Sequence, residues 1–464
     1  MFTTRRGTIV SLSGIRGIWG QDLNKKEIIK FCLAGAKIFT HTPQKKIFIG
    51  RDTRKSGEII SSLASQVFVS LGFKMVDLGI IPTPILQSYT QKRLPTGALM
   101  ITASHNPSEY NGLKFLQSSG IIFSEEQVKK LFHIYQGLKN IPSLKLSFKT
   151  TPVFSLEKPI QMHFDKILSK INIQAIKQRK FKVVVDAGNG VGSFLNKFFL
   201  ESLGCQVKEL YSQKDGIFRR GIEPKEENLA VLKRAVLENK ADLGFAQDGD
   251  GDRLAVIDSD GKFISGDDSF AILAKHFLKI RQIKTKRIVV NTATSRKIDE
   301  VVKKYQGIVY KTPVGEVNVV NKALAVGAEI AGETSCSGTI WLDVCPGRDS
   351  FSAMALILES LALEKEQLTD RIKKLPFYVR LEAKIKKKPK KMQTLFKKLA
   401  SLDWPEKKIS QSKLDGLRVD FKNSWFLIRV SNTEPVLRLI VESRSRKEAE
   451  KLVAVVKKVA SGGV

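Results

Sequence analysis

Cysteine gives this chain no framework. Its 464 residues hold four, Cys32, Cys205, Cys336 and Cys345, with no C-x-x-C pair and no metal-ligand spacing. They read as free thiols in a reducing cytoplasm. Long hydrophobic runs are missing too. No apolar stretch approaches the ~18 residues that a membrane span needs. The opening Met1-Phe2-Thr3-Thr4-Arg5-Arg6 leads into Gly- and Ser-containing sequence rather than an apolar leader core. A cytoplasmic protein with no membrane partner is expected. No low-complexity repeat occurs. Negative charge is scarce, with Asp+Glu 46 against Lys+Arg 78, a formal net charge of +32. That exceeds the magnitude of about 2–8 common for a small domain. Such a field attracts anions: nucleic acid, acidic membranes or phosphorylated metabolites. The densest basic run, Lys386-Lys387-Lys388-Pro389-Lys390-Lys391, is short and has no interleaved aromatics, which argues against a stacking surface for single strands. The remaining lysines are spread widely and read as a solvated face, so nucleic acid is not the expected partner.

The length suits three or four domains. One pattern recurs: a short β-branched or aromatic run ends in a polar loop, and a helical stretch follows. Ile47-Phe48-Ile49 runs into Gly50-Arg51-Asp52, Val183-Val184-Val185 into Asp186-Ala187-Gly188-Asn189-Gly190, Leu243-Gly244-Phe245 into Gln247-Asp248-Gly249-Asp250, and Ile288-Val289-Val290 into Asn291-Thr292-Ala293-Thr294. Near-continuous apolar strands alternating with helices predict α/β architecture with buried parallel or mixed sheets. Ligands of such sheets bind at loops beyond the carboxyl ends of strands, where these polar segments fall. Pro142 to Pro159 reads as a linker. Gly261 marks a hairpin turn between Val256-Ile257 and Phe263-Ile264. Composition turns Lys-rich from about Arg371 to Lys391. Beyond it, Leu417 to Phe421, Trp425 to Val430 and Leu437 to Val441 predict a small sheet. A helix from Ser445 to Val459 follows, with Ser445 at its N-cap and Glu448 three residues on. The division is α/β domains over residues 1–150, 151–258 and 259–372, and an α+β domain over 373–464.

Four loops carry candidate chemistry. Thr102-Ala103-Ser104-His105-Asn106-Pro107 follows the run Gly97 to Ile101 and offers Ser104 as a nucleophile beside His105. In Asp248-Gly249-Asp250-Gly251-Asp252-Arg253 three carboxylates alternate with glycines. In extended chain alternate residues point the same way, so the acids can converge. Crowded carboxylates repel unless a cation joins them, and a hard divalent ion such as Mg²⁺ suits oxygen ligands. A Ca²⁺ loop of the EF-hand kind is excluded, because Arg253 stands where it needs glycine and Ser259 where it needs glutamate. Arg429-Val430-Ser431-Asn432-Thr433-Glu434-Pro435 gathers donors suited to a phosphate dianion. In Gly332-Glu333-Thr334-Ser335-Cys336-Ser337-Gly338 a carboxylate among small polar residues suits sugar hydroxyls.

In this order the four motifs resemble the α-D-phosphohexomutase superfamily, which includes phosphomannomutase/phosphoglucomutase and phosphoglucosamine mutase. The resemblance spans essentially the whole chain. It also takes in Ser11-Leu12-Ser13-Gly14-Ile15-Arg16-Gly17, Gly50 to Arg54, Pro82-Thr83-Pro84, Thr312-Pro313-Val314-Gly315 and Gly347-Arg348-Asp349. It implies domains set around a central cleft. It implies Ser104 as the phosphoserine and as a further ligand of Mg²⁺, with Asp248, Asp250 and Asp252. Arg16 and Arg253 would contact the phosphoryl group, and His105 and Lys114 would lie near the reacting hydroxyl, Lys114 as proton shuttle. Glu333 and Ser335 would bind the sugar, and Arg429, Ser431, Asn432 and Thr433 its other phosphate. A sugar bisphosphate would be activator and intermediate, and the chain a monomer or homodimer.

Two departures bear on the sugar. Cys336 and Ser337 replace the family's usual Gly and His or Gly, and Glu316 stands where bacterial phosphomannomutases often carry histidine. Glucose and mannose phosphates are the leading substrates, with glucosamine phosphate the alternative. Two rivals are a Mg²⁺-dependent sugar phosphatase and, on charge alone, a nucleic-acid-binding protein.

Overall fold

Alternate residues along the first expected strands face opposite cores. In Lys46–Arg51, Ile47 and Ile49 pack with Leu99, Ile101, Leu113 and Phe115 on one face of a sheet. Phe48 points the other way, with Ala98, Met100 and Leu116. This first sheet has seven strands in the order Phe2–Thr3, Ile9–Ser11, Gly14–Ile18, Tyr110–Gln117, Gly97–Ile101, Lys46–Arg51, Lys74–Ile80. The last three run parallel to one another and the rest antiparallel, so the sheet is mixed. The computed structural model describes residues 1–39, 45–139, 157–334, 338–386, 392–404, 406–431 and 436–461.

A second mixed sheet orders Phe263–Ile264, Leu254–Asp258, Leu243–Gln247, Lys182–Asp186 and Gln206–Leu210. The hairpin expected at Gly261 forms, with Val256 opposite Ile264 and Gly261 at φ +74°. A third orders Ile308–Thr312, Arg287–Asn291, Ile330–Glu333 and Gly338–Trp341. The helix Ser350–Glu364 is apolar nearly all round, and is buried accordingly. It joins the inner faces of all three sheets in one continuous core through Phe351, Phe164, Phe199 and Phe270. The fold is therefore α/β, three such units followed by a smaller one.

The fourth sheet is wholly antiparallel, in the order Val379–Ile385, Leu437–Ser443, Ser424–Val430, Leu417–Phe421, Lys408–Ser412. Helices Met392–Ser401 and Arg446–Ala460 cover one face around Leu399, Phe426, Ile428, Val441 and Val456. Two of its strands, Val379–Ile385 and Lys408–Ser412, go beyond the three expected. Val379–Ile385 falls inside the Lys-rich stretch read from composition alone. Ser445 does occupy the N-cap, but its side chain makes no capping bond, and Glu448 accepts instead from Ser443 Oγ at 3.0 Å. Of the expected linker, residues 142–156 lie outside the described residues, while Pro159 sits in the first turn of the helix Glu157–Leu168, where a missing N–H costs nothing.

The loop Asn291 to Thr294 takes no part in the acidic cluster described below. Arg418 Nη1 donates to Thr292 O at 2.6 Å, Arg380 Nη1 to Ala293 O at 2.6 Å, and Trp425 and Leu427 pack on Ala293. Its strand-end position serves the seam with the fourth sheet. Beside that seam a cavity of about 280 Å³ is lined by Ser11, Leu12, Val314, Leu414 and Asp415, from the first, third and fourth units. Cys32, Cys205 and Cys345 are free and buried, and Cys336 lies outside the described residues. Among the described residues no helix is long and apolar enough to cross a membrane.

Candidate active site

Strand register brings two cations to one face. Arg16 on Gly14–Ile18 pairs with Gly112, and Lys114 lies two residues further along the same strand, so both side chains leave the sheet on one side. The next turn, beyond Gly97–Ile101, carries Ser104. Its φ of +49° is the left-handed region, which a serine occupies only under constraint. The constraint is visible: Thr102 Oγ1 accepts from Ser104 N at 2.8 Å and donates to Asp52 Oδ2 at 2.6 Å, while Arg54 pairs with Asp52 and donates to Ser104 O at 3.0 Å. Arg54 also donates to Asn106 O.

Asp52 and Arg54 are completely buried, so the fold and the Ser104 turn both depend on the pair. Arg54→Met would leave an unpaired carboxylate inside, and such a loss costs ~3–5 kcal/mol. Equilibrium urea unfolding should show that drop, and a variant as stable as the parent would remove Arg54 from this role.

The acidic loop lies between Leu243–Gln247 and Leu254–Asp258, antiparallel neighbours with Gln247 opposite Leu254. It closes on its own first residue, because Asp248 Oδ1 accepts from Asp252 N at 3.1 Å and Arg253 N at 3.2 Å. Gly251 takes φ +71°, and a Cβ on Gly249 would stand 3.2 Å from Ser104 O and 2.6 Å from Ile222 Cδ1. Glycine thus lets the two loops meet. Ser104 Oγ donates to Asp248 Oδ2 at 2.9 Å across 144 residues of sequence. Pro82-Thr83-Pro84 opens the helix Thr83–Arg93 against the same loop, with Thr83 Oγ1 donating to Asp250 Oδ2 at 2.7 Å.

Asp248, Asp250 and Asp252 are buried, with a carboxylate oxygen of each within 4.8 Å of the others. Asp250 Oδ1 and Asp252 Oδ1 are buried with no hydrogen-bond partner. Three carboxylates this close, two of them with an oxygen that accepts no hydrogen bond, fit a hard divalent cation. Cations ring the cluster. Lys114 Nζ donates to Asp250 Oδ2 at 2.6 Å and Asp252 Oδ2 at 3.3 Å, and Arg253 Nε lies 3.7 Å from both Asp248 Oδ2 and Asp252 Oδ1. Arg253 Nη1 also donates to Glu223 at 3.0 Å, and Arg16 Nη1 to Asn106 at 2.9 Å.

Ionisation follows these neighbours. Burial, then Asp252 and Asp250, push the Asp248 carboxyl well above its usual range. Burial would raise Asp250 as well, but Lys114 and its hydrogen bond outweigh it and hold that carboxyl below the usual range. Burial lowers the Lys114 ammonium, but Asp250 and Asp252 reverse this and raise it. His105 Nδ1 is 3.4 Å from Ser104 Oγ, and burial among Arg253, Arg16, Arg348 and Lys114 drives its pKa well below 6.5, so the ring is neutral. Burial and Arg253 bring Arg16 down to about 10.

Ser104, His105, Lys114, Arg16, Arg253 and the three aspartates therefore stand together. Glu333 joins them through Arg348, whose Nη1 is 3.2 Å from Glu333 Oε2. Arg429 is tied elsewhere: its Nε donates to Asp415 Oδ2 at 2.8 Å, an oxygen that also accepts from Val314 N at 3.0 Å. Ser431 N donates to Val436 O at 3.0 Å. Ser335, Asn432 and Thr433 lie outside the described residues, as do Cys336 and Ser337. Asp52, Arg54, Thr83 and Arg348 lie within the sequence motifs, but nothing in the linear sequence singles them out for a role. Asp415 had no signal beyond its Asp-Gly turn.

Four family models match in succession: phosphoglucomutase/phosphomannomutase alpha/beta/alpha domain I over residues 8–141, domain II over 161–261, domain III over 265–378, and the C-terminal domain over 378–459. With the fold, these define an α-D-phosphohexomutase, an isomerase that works by phosphoryl transfer. The chain belongs to the phosphoglucomutase/phosphomannomutase family. It is 33% identical over 452 residues to the phosphoglucomutase/phosphomannomutase of Thermococcus kodakarensis, covering 96% of each chain. It is 31% identical over 460 residues to the phosphoglucosamine/phosphogalactosamine mutase of Sulfurisphaera tokodaii, covering 98% of this chain and 100% of that one. A crystal structure of a phosphoglucomutase/phosphomannomutase family protein from Burkholderia thailandensis superposes with a TM-score of 0.85 at 25% identity, covering 100% of this chain and 99% of the other.

Proposed function

We propose that the chain interconverts hexose 1-phosphate and hexose 6-phosphate through a phosphorylated Ser104 and a bisphosphorylated sugar. The observation that carries this is the Ser104 Oγ contact with Asp248 at 2.9 Å inside a buried triad of aspartates. Asp248, Asp250 and Asp252 would hold Mg²⁺ with a Ser104 phosphoryl oxygen, and the ion would neutralise charge on the group in flight. Arg16 and Arg253 bring fixed positive charge to the same place, which stabilises a spreading trianion without reorganisation. The sugar hydroxyl attacks phosphorus and the bond from phosphorus to Ser104 Oγ breaks, while the neutral His105 takes the hydroxyl proton and the Lys114 ammonium gives one to the departing Ser104 Oγ. The reverse transfer, from the sugar's other phosphate, restores phosphoserine. Glu333 holds sugar hydroxyls, and Arg429 with Ser431, Asn432 and Thr433 grips the phosphate that is not reacting.

Glucose and mannose phosphates are the first substrates to expect. The full-length relative named a phosphoglucosamine/phosphogalactosamine mutase favours glucosamine phosphate as a second reading. Coupled assays on glucose, mannose and glucosamine 1-phosphates decide between them: a kcat/KM preference of ~10-fold or more for one sugar assigns it. Steady release of inorganic phosphate with no 6-phosphate formed would overturn both and leave a phosphatase.

A further inference from the structure

Arg348 stands on three carboxylates from three elements: Asp252 in the acidic loop, Glu316 at the start of the helix Glu316–Val326, and Glu333 at the end of the strand Ile330–Glu333. Its Nη2 donates to Asp252 Oδ2 at 2.6 Å, its Nε to Glu316 Oε2 at 2.8 Å, and its Nη1 lies 3.2 Å from Glu333 Oε2. All four side chains are buried. Gln87 Nε2 holds the other oxygen of Glu316 at 3.1 Å. Room for the guanidinium's stem comes from Gly338, at the far end of the sugar loop, where a Cβ would fall 2.2 Å from Arg348 Cδ. One planar fork therefore touches the acidic loop, Glu333 at the start of the sugar loop, and Glu316 at the start of its helix. A lysine has no such geometry, since its ammonium is a point charge on a flexible stem.

Arg348 and Glu316 act in opposite directions on a cation at the aspartates. The guanidinium takes up an oxygen of Asp252 and adds like charge beside the ion, both of which weaken ion binding. Glu316 draws that charge back toward Gln87. We propose that Arg348 and Glu316 are a positioning pair that couples divalent-ion binding at Asp252 to sugar binding at Glu333. When Asp252 engages the ion, the donor that Asp252 releases turns toward Glu333 while Glu316 keeps the fork anchored. The coupling is reciprocal, so sugar phosphate tightens the ion and the ion tightens sugar phosphate. The inference rests on the aspartate triad being the ion site.

The test is isothermal titration of the full chain with Mg²⁺, with and without glucose 6-phosphate, each variant first checked by thermal melting. In the parent, sugar phosphate should tighten Mg²⁺ by ~3-fold or more. Arg348→Gln should tighten Mg²⁺ alone by ~3–10-fold and lose the response to sugar phosphate, while Glu316→Gln should weaken Mg²⁺ by a similar factor. Arg348→Lys keeps the charge and loses the fork. Its Mg²⁺ affinity should stay within ~2-fold of the parent with the response to sugar phosphate gone, and this variant decides the matter if Arg348→Gln does not fold. Mg²⁺ affinities that shift the same way in Arg348→Gln and Glu316→Gln, or a response to sugar phosphate that survives in Arg348→Lys, would overturn the coupling alone. A parent that binds no Mg²⁺ would sink the ion site and the coupling together.

Discussion

Ser104→Ala is expected to lower kcat for sugar 1-phosphate isomerisation by ~10⁴-fold or more, with little change in melting temperature. The side chain lost is one hydroxyl. It makes two contacts, a hydrogen bond to Asp248 and a longer one to His105, and neither supports a core element. What disappears is the only step the remaining groups cannot supply, the covalent holding of a phosphoryl group between two transfers. Arg16, Lys114 and Arg253 would still bind and polarise a sugar phosphate, so affinity for substrate should change far less than turnover. The φ of +49° at position 104 is no obstacle, because alanine meets the same cost as serine there. A variant that keeps parental turnover would remove Ser104 from the reaction, and incubation with a sugar bisphosphate should label the parent and not the variant.

Much of this was legible in the sequence because the chemistry is local. Three aspartates alternating with glycines over five residues point to a cation, and a serine beyond a buried strand points to a nucleophile, and the fold brings the two loops together. What a linear reading withholds is the partner of each loop. Arg348 lies in a three-residue motif with no chemical signal of its own, and its meaning comes from Asp252, Glu316 and Glu333, each on a different element. The Asp52–Arg54 pair is hidden for the same reason, since a charged pair two residues apart reads as a solvated turn until burial is seen. In the fold, Val379–Ile385 had a signal that composition masked: Val379, Leu381, Ala383 and Ile385 alternate with charged residues. Lys408–Ser412 had almost none, because it is an exposed edge strand and needs no apolar face.

Asp248→Asn should lower kcat by ~10³-fold or more and yet raise the melting temperature measured in chelator near about pH 8. In the folded chain burial and two neighbouring carboxylates hold this acid well above its ordinary value of 3.8. The unfolded chain releases the proton first, so in the interval between the two values the folded state binds more protons and stability falls as pH rises. Above the folded value the full penalty is present. Asparagine carries no proton in either state and removes it, while keeping an oxygen to accept from Asp252 N and Arg253 N. A gain of ~2–4 °C in chelator, shrinking as the pH falls toward about 4, is the expected record. Added Mg²⁺ reverses the order: it stabilises the parent by mass action and the variant much less, since one of three ligands has lost its charge. A variant that melts below the parent in chelator, or that gains as much from Mg²⁺, would show that the crowded carboxylates are relieved by Lys114, Arg253 and Arg348 alone and are not kept for an ion.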